Sequence, residues 1–174
     1  MRNRNSMRMK GYDYSKRGWY FITNVVQNRL CIFGAAKNSQ IILNDAGRML
    51  EKWYLKLGGK FQGIKCHEYI IMPNHYHFLI EILPNTRKEM INSNAGADPS
   101  VRPYTNPNLS QMIQWYKTMT TNEYIRGVKE KGWRKFHKRL WQRSFDDRIL
   151  KGYEIDIYRE YIKDNPINWK EKWK

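Results

Sequence analysis

The segment IIMPNHYHFLIEI, residues 70–82, decides the fold. Its two apolar runs meet at Pro73-Asn74, a dipeptide that ends strands and is typical of a turn. The first run begins at Ile64, so the pattern predicts two strands, 64–73 and 75–83. Because so few residues separate them, the two strands are expected to form an antiparallel hairpin.

The second strand places two histidines on one face, because side chains alternate along a strand. One face is apolar, and the other carries His75, His77, Leu79 and Glu81. Two neighbouring imidazoles can bind one divalent cation, but a third ligand must then come from elsewhere. The alternative is an ordinary polar strand surface without a metal. Structural zinc is not favoured, because the two cysteines lie far apart and match no CxxC pattern.

The rest of the chain predicts an α+β fold. Its strand-like segments are 19–29, 31–44 (a short hairpin) and 144–152, and its helix-like segments are 44–59, 109–127 and 153–164. This order is that of the ferredoxin-like split β-α-β fold, with a mainly antiparallel sheet, helices on one face and the HxH pair on a central strand. We expect one domain over residues 1–174, with a polar loop insertion at 84–108 and a basic C-terminal tail.

The charge of the chain points to an anionic partner. Its 174 residues include 32 Lys and Arg against 16 Asp and Glu, a net charge of +16. Such a field attracts polyanions, with nucleic acid as the first candidate and anionic membrane as the second. No apolar run is long enough for a transmembrane helix, and no predicted helix sets a clean lysine face opposite an apolar one. Because MRNRNSMRMK at the N-terminus also lacks the apolar stretch of a signal peptide, we expect a cytoplasmic protein without a membrane partner.

Basic and aromatic residues are interleaved in KEKGWRKFHKRLWQR, residues 129–143. Basic side chains bind phosphates and aromatic faces stack on unpaired bases, so the segment fits a nucleic-acid surface. A solvated helix face with inward-pointing aromatic residues fits it equally well. The residues assigned to DNA contact are Arg2, Arg4, Arg8, Lys135, Lys138, Arg139 and Trp141. For Trp141 we favour a core position first and base stacking second.

The segment YREYIKDNP, residues 158–166, supplies the second half of a candidate site. Tyr161 and Asn165 are four residues apart and share a helix face, with Tyr158 on nearly the same side. A phenol is a poor nucleophile unaided, but beside a cation that polarises a phosphate it can attack phosphorus. The Asn165 amide oxygen could be the third metal ligand. The alternative is a stripe that packs on the sheet, with Asn165 as a helix cap.

Taken together, the MPNH-x-H hairpin and the later YI..NP helix resemble the REP-associated tyrosine transposases of the HUH single-tyrosine superfamily. The segments KGYDYSKRGWYFIT, LNDAGRMLEKWY and LWQRSFDDRIL agree as well, so the resemblance covers most of the chain outside the insertion. It implies a ferredoxin-like fold, a Mg²⁺ or Mn²⁺ ion held by His75, His77 and Asn165, and Tyr161 as the nucleophile.

The activity that the resemblance implies is cleavage and joining of single-stranded DNA through a 5′-phosphotyrosine, at hairpin-forming repeats. No ATP is needed, in agreement with the absence of a GxxxxGK[ST] loop. The resemblance favours a monomer over a homodimer. Two other functions remain open: a non-catalytic basic binding module for structured DNA or RNA, and metal-dependent hydrolysis, which leaves Tyr161 unexplained.

Overall fold

The computed structural model describes residues 11–84 and 108–169. The strands of this part are β1 (Gly18–Val25), β2 (Gly34–Lys37), β3 (Gln40–Leu43), β4 (Ile64–Met72), β5 (His75–Ile82) and β6 (Asp146–Leu150). Its α-helices are α1 (Asp45–Leu55), α2 (Leu57–Lys60), α3 (Leu109–Lys131) and α4 (Glu154–Asp164), and a short 3₁₀ helix spans Gln27–Arg29. Most of the predicted insertion and the end of the predicted tail lie outside the described residues, so the single-domain organisation stays a prediction.

Four strands form the central sheet in the order β4–β5–β1–β6, and every neighbouring pair is antiparallel. β4 and β5 are joined at Pro73-Asn74, as the sequence predicts, and β2 pairs with β3 in a separate hairpin. β5 pairs on both sides, so the HxH strand is central, and most of its residues are buried. This is the ferredoxin-like strand order, and the predicted α+β fold class is confirmed.

One face of the sheet packs against α1 and α3. The main core there combines Tyr20 of β1 with Tyr76 and Phe78 of β5. Tyr116 of α3 reaches the same core, and its hydroxyl donates to the carbonyl of Leu50 in α1 at 3.0 Å. Each such ring removes about 150–250 Å² of surface from water, so these aromatic residues dominate the stability of this core.

The opposite face of the sheet packs against α4, which corrects the prediction that the helices share one face. A smaller apolar cluster there joins Phe21 of β1 and Leu79 of β5 to Ile162 of α4. Arg159 of α4 also forms an ion pair with Glu68 of β4 at 3.2 Å. The amphipathic pattern of a helix predicts which stripe is buried but not which sheet face receives it. As a result, α4 packs on the face that carries the histidines.

The longest helix, α3, continues past its predicted end at Gly127 to Lys131. Gly127 is buried within the helix, where a Cβ atom would clash with the ring of Trp133, so it serves packing rather than termination. Gly132 ends the helix in the left-handed conformation, at φ 67°. Residues 133–143 are then irregular rather than helical. Across 11–84 and 108–169, no helix has the length and apolar character needed to span a membrane.

Candidate active site

The turn between β4 and β5 fixes the position of the two histidines. Its carbonyl groups accept three backbone N–H groups, those of Val26, Ile32 and Phe33, at 2.8–3.1 Å. The turn is thereby tied to the end of β1 and to the segment that precedes β2. β5 then begins at His75, and His77 follows on the same face with only 4% of its surface exposed.

The two imidazoles converge, with their Nε2 atoms 3.1 Å apart. The Nδ1 atom of His75 is 2.7 Å from Oδ1 of Asn74, and that of His77 is 2.8 Å from Oγ1 of Thr23. The Asn74 amide donates through Nδ2 to the Arg29 carbonyl, which leaves Oδ1 as the acceptor facing the ring. His75 therefore carries its proton on Nδ1 and a free lone pair on Nε2. The Thr23 hydroxyl can donate or accept, so either tautomer of His77 is satisfied.

This geometry fits a divalent cation shared by the two Nε2 atoms. Adjacent ligands of an octahedral cation, each about 2.0–2.1 Å from it, lie about 3.0 Å apart. The observed separation of 3.1 Å is close to that value. With a cation, His77 would carry its proton on Nδ1 and donate it to Thr23, the kind of outer hydrogen bond that orients histidine ligands. Without one, the spacing is that of an N–H···N hydrogen bond from His77 to His75.

Burial keeps both imidazoles neutral. It lowers the pKa of His75 to about 4, and the positive charge of Arg29 adds to the effect. Burial also lowers the pKa of His77 to about 3, with a further contribution from His75. Only a neutral imidazole has a lone pair to offer a metal, so at neutral pH the pair can accept a cation without first losing a proton.

Tyr161 is the tyrosine whose ring contacts the histidine pair. It meets the His77 ring edge-on, with ring centroids 5.3 Å apart, and contacts Phe21 at 5.7 Å. Phe21 itself stacks on His77 at 5.1 Å, so β1, β5 and α4 meet here. Tyr161 is 47% exposed, which leaves it accessible to a substrate. Tyr158 instead packs on Phe21 at 4.5 Å within the small cluster, so the arrangement favours Tyr161 as the reactive group.

Asn165 directly follows α4, one turn after Tyr161, and is 9% exposed. Within the described residues, no hydrogen bond joins it to either histidine. In the same part of the chain, no cluster of three or more His, Cys, Asp or Glu residues could hold a metal. Trp169 stacks on His75 with ring centroids 5.8 Å apart, so the chain beyond Asn165 returns to the histidine pair. Asn165 as the third metal ligand stays a prediction.

The candidate DNA-contact residues occupy different environments. Lys135 and Lys138 are exposed in the irregular segment after α3, and Arg139 is half-buried. Trp141 is 4% exposed, and its indole N–H donates to the hydroxyl of Thr120 at 3.0 Å. Stacking requires a free aromatic face, so the assignment of Trp141 to DNA contact is wrong and its core position is confirmed. The N-terminal candidates Arg2, Arg4 and Arg8 lie outside the described residues.

The sequence pattern does not identify several residues that shape this site. Thr23 lies opposite His77 in the β1–β5 register, and this pairing depends on a register that the sequence does not supply. Trp169 arrives from the end of the chain, through a contact that no local pattern encodes. Asn74 carries the one available signal, because an Asn that directly precedes a candidate ligand can hydrogen bond to its ring.

The chain resembles a known protein in sequence and solved structures in fold. No family model matches the chain. An uncharacterized protein of Haemophilus influenzae is 30% identical over an alignment 176 positions long, which covers 97% of this chain and 91% of that protein. The chain belongs to the same family as this protein.

A solved structure of a REP-associated tyrosine transposase bound to a REP hairpin superposes with a TM-score of 0.56. The alignment has 17% identity and covers 95% of this chain and 77% of that one. The chain has the REP-associated tyrosine transposase fold. A candidate transposase from Deinococcus radiodurans reaches a TM-score of 0.47 at 14% identity, over 90% of this chain and 95% of that one. The assignment of this chain to that fold therefore depends on the first of these two structures.

Proposed function

We propose that this chain is a metal-dependent endonuclease and strand transferase that acts on single-stranded DNA through Tyr161. One arrangement carries the proposal: the ring of Tyr161 packs on His77 at 5.3 Å, beside the point where two histidine Nε2 atoms converge. An accessible phenol next to a pair of metal-binding atoms is what phosphoryl transfer to tyrosine requires. The fold shared with a transposase that binds a REP hairpin supports hairpin-forming DNA as the substrate.

The residues that would hold Mg²⁺ or Mn²⁺ are His75, His77 and, as a third ligand, Asn165. A cation bound there supplies positive charge that polarises a phosphate and offsets the negative charge of the transition state. Asn74 and Thr23 hold the two rings through their Nδ1 atoms, so that both Nε2 atoms face one point. The chain thereby fixes two ligands before any cation binds, which lowers the entropic cost of assembling the site.

Tyr161 performs the covalent step. Its phenol oxygen forms a bond to the scissile phosphorus, and the bond between phosphorus and the 3′ oxygen breaks. The phenol loses its proton and the 3′ oxygen gains one, so the products are a 5′-phosphotyrosine and a free 3′-OH. The new ester is close in energy to the one broken, so a second 3′-OH can reverse the step without ATP. A backbone must bend to place its phosphate in line with the phenol, which favours single-stranded DNA.

The charge of the chain supports DNA as the partner. A net charge of +16 concentrates polyanions near the surface, and contacts with phosphates release counterions. Lys135 and Lys138 are exposed and available for such contacts, and Arg139 is half-buried. Replacing one of these basic side chains should weaken binding to all sequences alike and reduce the salt dependence of binding. We expect the protein to act on DNA as a monomer.

Covalent trapping tests this proposal. The purified chain is incubated with Mn²⁺ and a pool of single-stranded hairpin oligonucleotides labelled at the 3′ end. A labelled protein band should appear on a denaturing gel, because the 5′ end at the break stays attached to the protein. A label at the 5′ end should not be retained. Tyr161→Phe should abolish the band while DNA binding remains, and the matched control Tyr158→Phe should keep both.

The competing functions give different results in the same experiment. A non-catalytic binding module retains the DNA on a native gel but yields neither cleavage nor a covalent band. Hydrolysis by an activated water yields cleaved DNA without a covalent band. Either outcome with the unsubstituted protein would overturn the proposal, and a covalent band that survives in Tyr161→Phe would move the nucleophile to another residue.

A further inference from the structure

A cavity of about 430 Å³ opens between β6, the edge strand of the sheet, and α4. We call it the β6 cavity and define it by six of its lining residues, Phe21, Thr23, Asp146, Arg148, Glu154 and Tyr158. Its volume lies within the range of about 300–1,000 Å³ that is typical of small-molecule sites. It can therefore admit a single nucleotide but not a duplex.

The β6 cavity adjoins the candidate active site on the same face of the sheet. Asp146 lies opposite Thr23 in the β1–β6 register, and Thr23 lies opposite His77 in the β1–β5 register. These three residues form one row across the sheet, and the Thr23 hydroxyl bonds to the His77 ring at 2.8 Å. Tyr158, on the wall of the cavity, is one helical turn before Tyr161. DNA held at the histidine pair therefore has this cavity beside it.

The carboxylates on the walls favour a base over a phosphate in the interior of the cavity. Asp146 is exposed, and its carboxylate makes no hydrogen bond or ion pair within the described residues, so it can accept from a ligand. Glu154 adds a second carboxylate, of which Oε2 already accepts the backbone N–H of Lys151 at 2.9 Å. Carboxylates repel phosphates and accept only from N–H or O–H donors. The half-buried ring of Tyr158 adds an aromatic surface for a base to stack on.

We propose that the β6 cavity binds one unpaired nucleobase of the DNA substrate that carries an exocyclic amino group, with Asp146 as its acceptor. This inference deepens the proposed function, on which it rests for the identity of the ligand as DNA. Cytosine, adenine and guanine offer an amino group to a carboxylate, whereas thymine presents carbonyl oxygens on both sides of its single N–H. The cavity therefore discriminates against thymine next to the cleaved phosphate.

Arg148 has a separate part in this arrangement. It lies opposite Phe21 in the β1–β6 register, on the same face as Asp146, and its side chain is exposed. An arginine at the edge of a base cavity binds the phosphate of the nucleotide whose base lies inside, since guanidinium groups match phosphate oxygens. It should add affinity for every sequence, whereas Asp146 should add selectivity.

Two homopolymers whose bases differ only along the N3–C4 edge test the proposal. Thymidine and 5-methyldeoxycytidine have bases of the same size and the same methyl group, but only the second carries an amino group. Fluorescence anisotropy measures the binding of short, labelled single strands of each to the Tyr161→Phe variant in EDTA, so that no cleavage occurs. A hydrogen bond from the amino group to a carboxylate should make the 5-methyldeoxycytidine strand bind about tenfold more tightly.

Substitutions in the cavity show which side chain causes the difference in affinity between the two strands. Asp146→Asn should bring the affinity ratio of the two strands close to one, because an amide also donates to thymine carbonyls. Glu130→Gln, on the exposed surface of α3, removes the same charge outside the cavity and should leave the ratio unchanged. Arg148→Gln should lower the affinity for both strands by the same factor. Two results would overturn the proposal. One is equal affinity of Tyr161→Phe for the two strands, and the other is an affinity ratio that does not change when Asp146→Asn is added to Tyr161→Phe.

The result is independent of the covalent step. If the affinity ratio is as expected but no adduct forms with Mn²⁺, the strand-transfer function fails and the base site stands. If an adduct forms but the ratio is one, the base site fails and the transferase stands.

Discussion

Replacing Thr23 with valine tests whether the histidine pair is held for a metal. The substitution keeps the branched shape but removes the hydroxyl that lies 2.8 Å from Nδ1 of His77. Loss of such an outer partner typically costs about 10–100-fold in metal affinity, or about 1.4–2.7 kcal/mol. The metal-free protein should also lose about 1–3 kcal/mol of stability, because Nδ1 of His77 is buried and left without a partner.

Two measurements follow these effects separately. Titration with Mn²⁺, read from the electron paramagnetic resonance signal of the free ion, gives the dissociation constant, and urea unfolding in EDTA gives the stability. Thr23→Ser is the matched control, since it keeps a hydroxyl at this position and should bind Mn²⁺ nearly as the parent does. If Thr23→Val folds and binds Mn²⁺ as tightly as Thr23→Ser, the hydroxyl does not orient a metal ligand and this reasoning is refuted.

Three further predictions concern stability. Lowering the pH from 7 to 5 should reduce the free energy of unfolding by about 1–2 kcal/mol for each of His75 and His77. The unfolded chain takes up protons below about pH 6.5, whereas the folded pair, with pKa values of about 4 and 3, does not. Urea unfolding at the two pH values measures the decrease, which should shrink when both histidines are replaced by glutamine. Gly127→Ala should cost about 1–3 kcal/mol in thermal unfolding, because its Cβ meets the ring of Trp133. Trp141→Phe should lower the melting temperature but leave the affinity of the folded protein for single-stranded DNA unchanged, whereas a base-stacking residue would reduce it.

Local sequence patterns were sufficient for the main elements of the fold. The alternation in β4 and β5 and the Pro73-Asn74 turn predict the central hairpin, because the period of a strand is read directly from neighbouring residues. The end of α3 was not predictable in this way. Gly127 resembles a helix terminator in sequence, but its absent side chain makes room for Trp133, a contact that only the tertiary structure reveals.

The candidate site likewise has features that local sequence patterns predict and features that depend on tertiary structure. That His75 and His77 share a face follows from alternation along one strand, and the helical position of Tyr161 follows from spacing. Their meeting does not follow from either pattern. It depends on α4 packing on the histidine face through Ile162 and Phe21, which are far apart in sequence. Register likewise brings Thr23 to the His77 ring, and register is a property of paired strands rather than of one segment.

The most direct test of the central claim is to locate the covalent bond by mass spectrometry. After reaction with Mn²⁺ and hairpin DNA, nuclease treatment leaves a nucleotide on the protein, and trypsin then separates the candidate tyrosines. Tyr161 lies in the peptide 160–163, whereas Tyr153 and Tyr158 lie together in the peptide 152–159. Because the Tyr161 ring alone among these tyrosines packs on His77 in the described structure, we predict the added mass on peptide 160–163. Added mass on peptide 152–159, or on neither, would contradict the assignment of Tyr161 as the nucleophile beside the histidine pair.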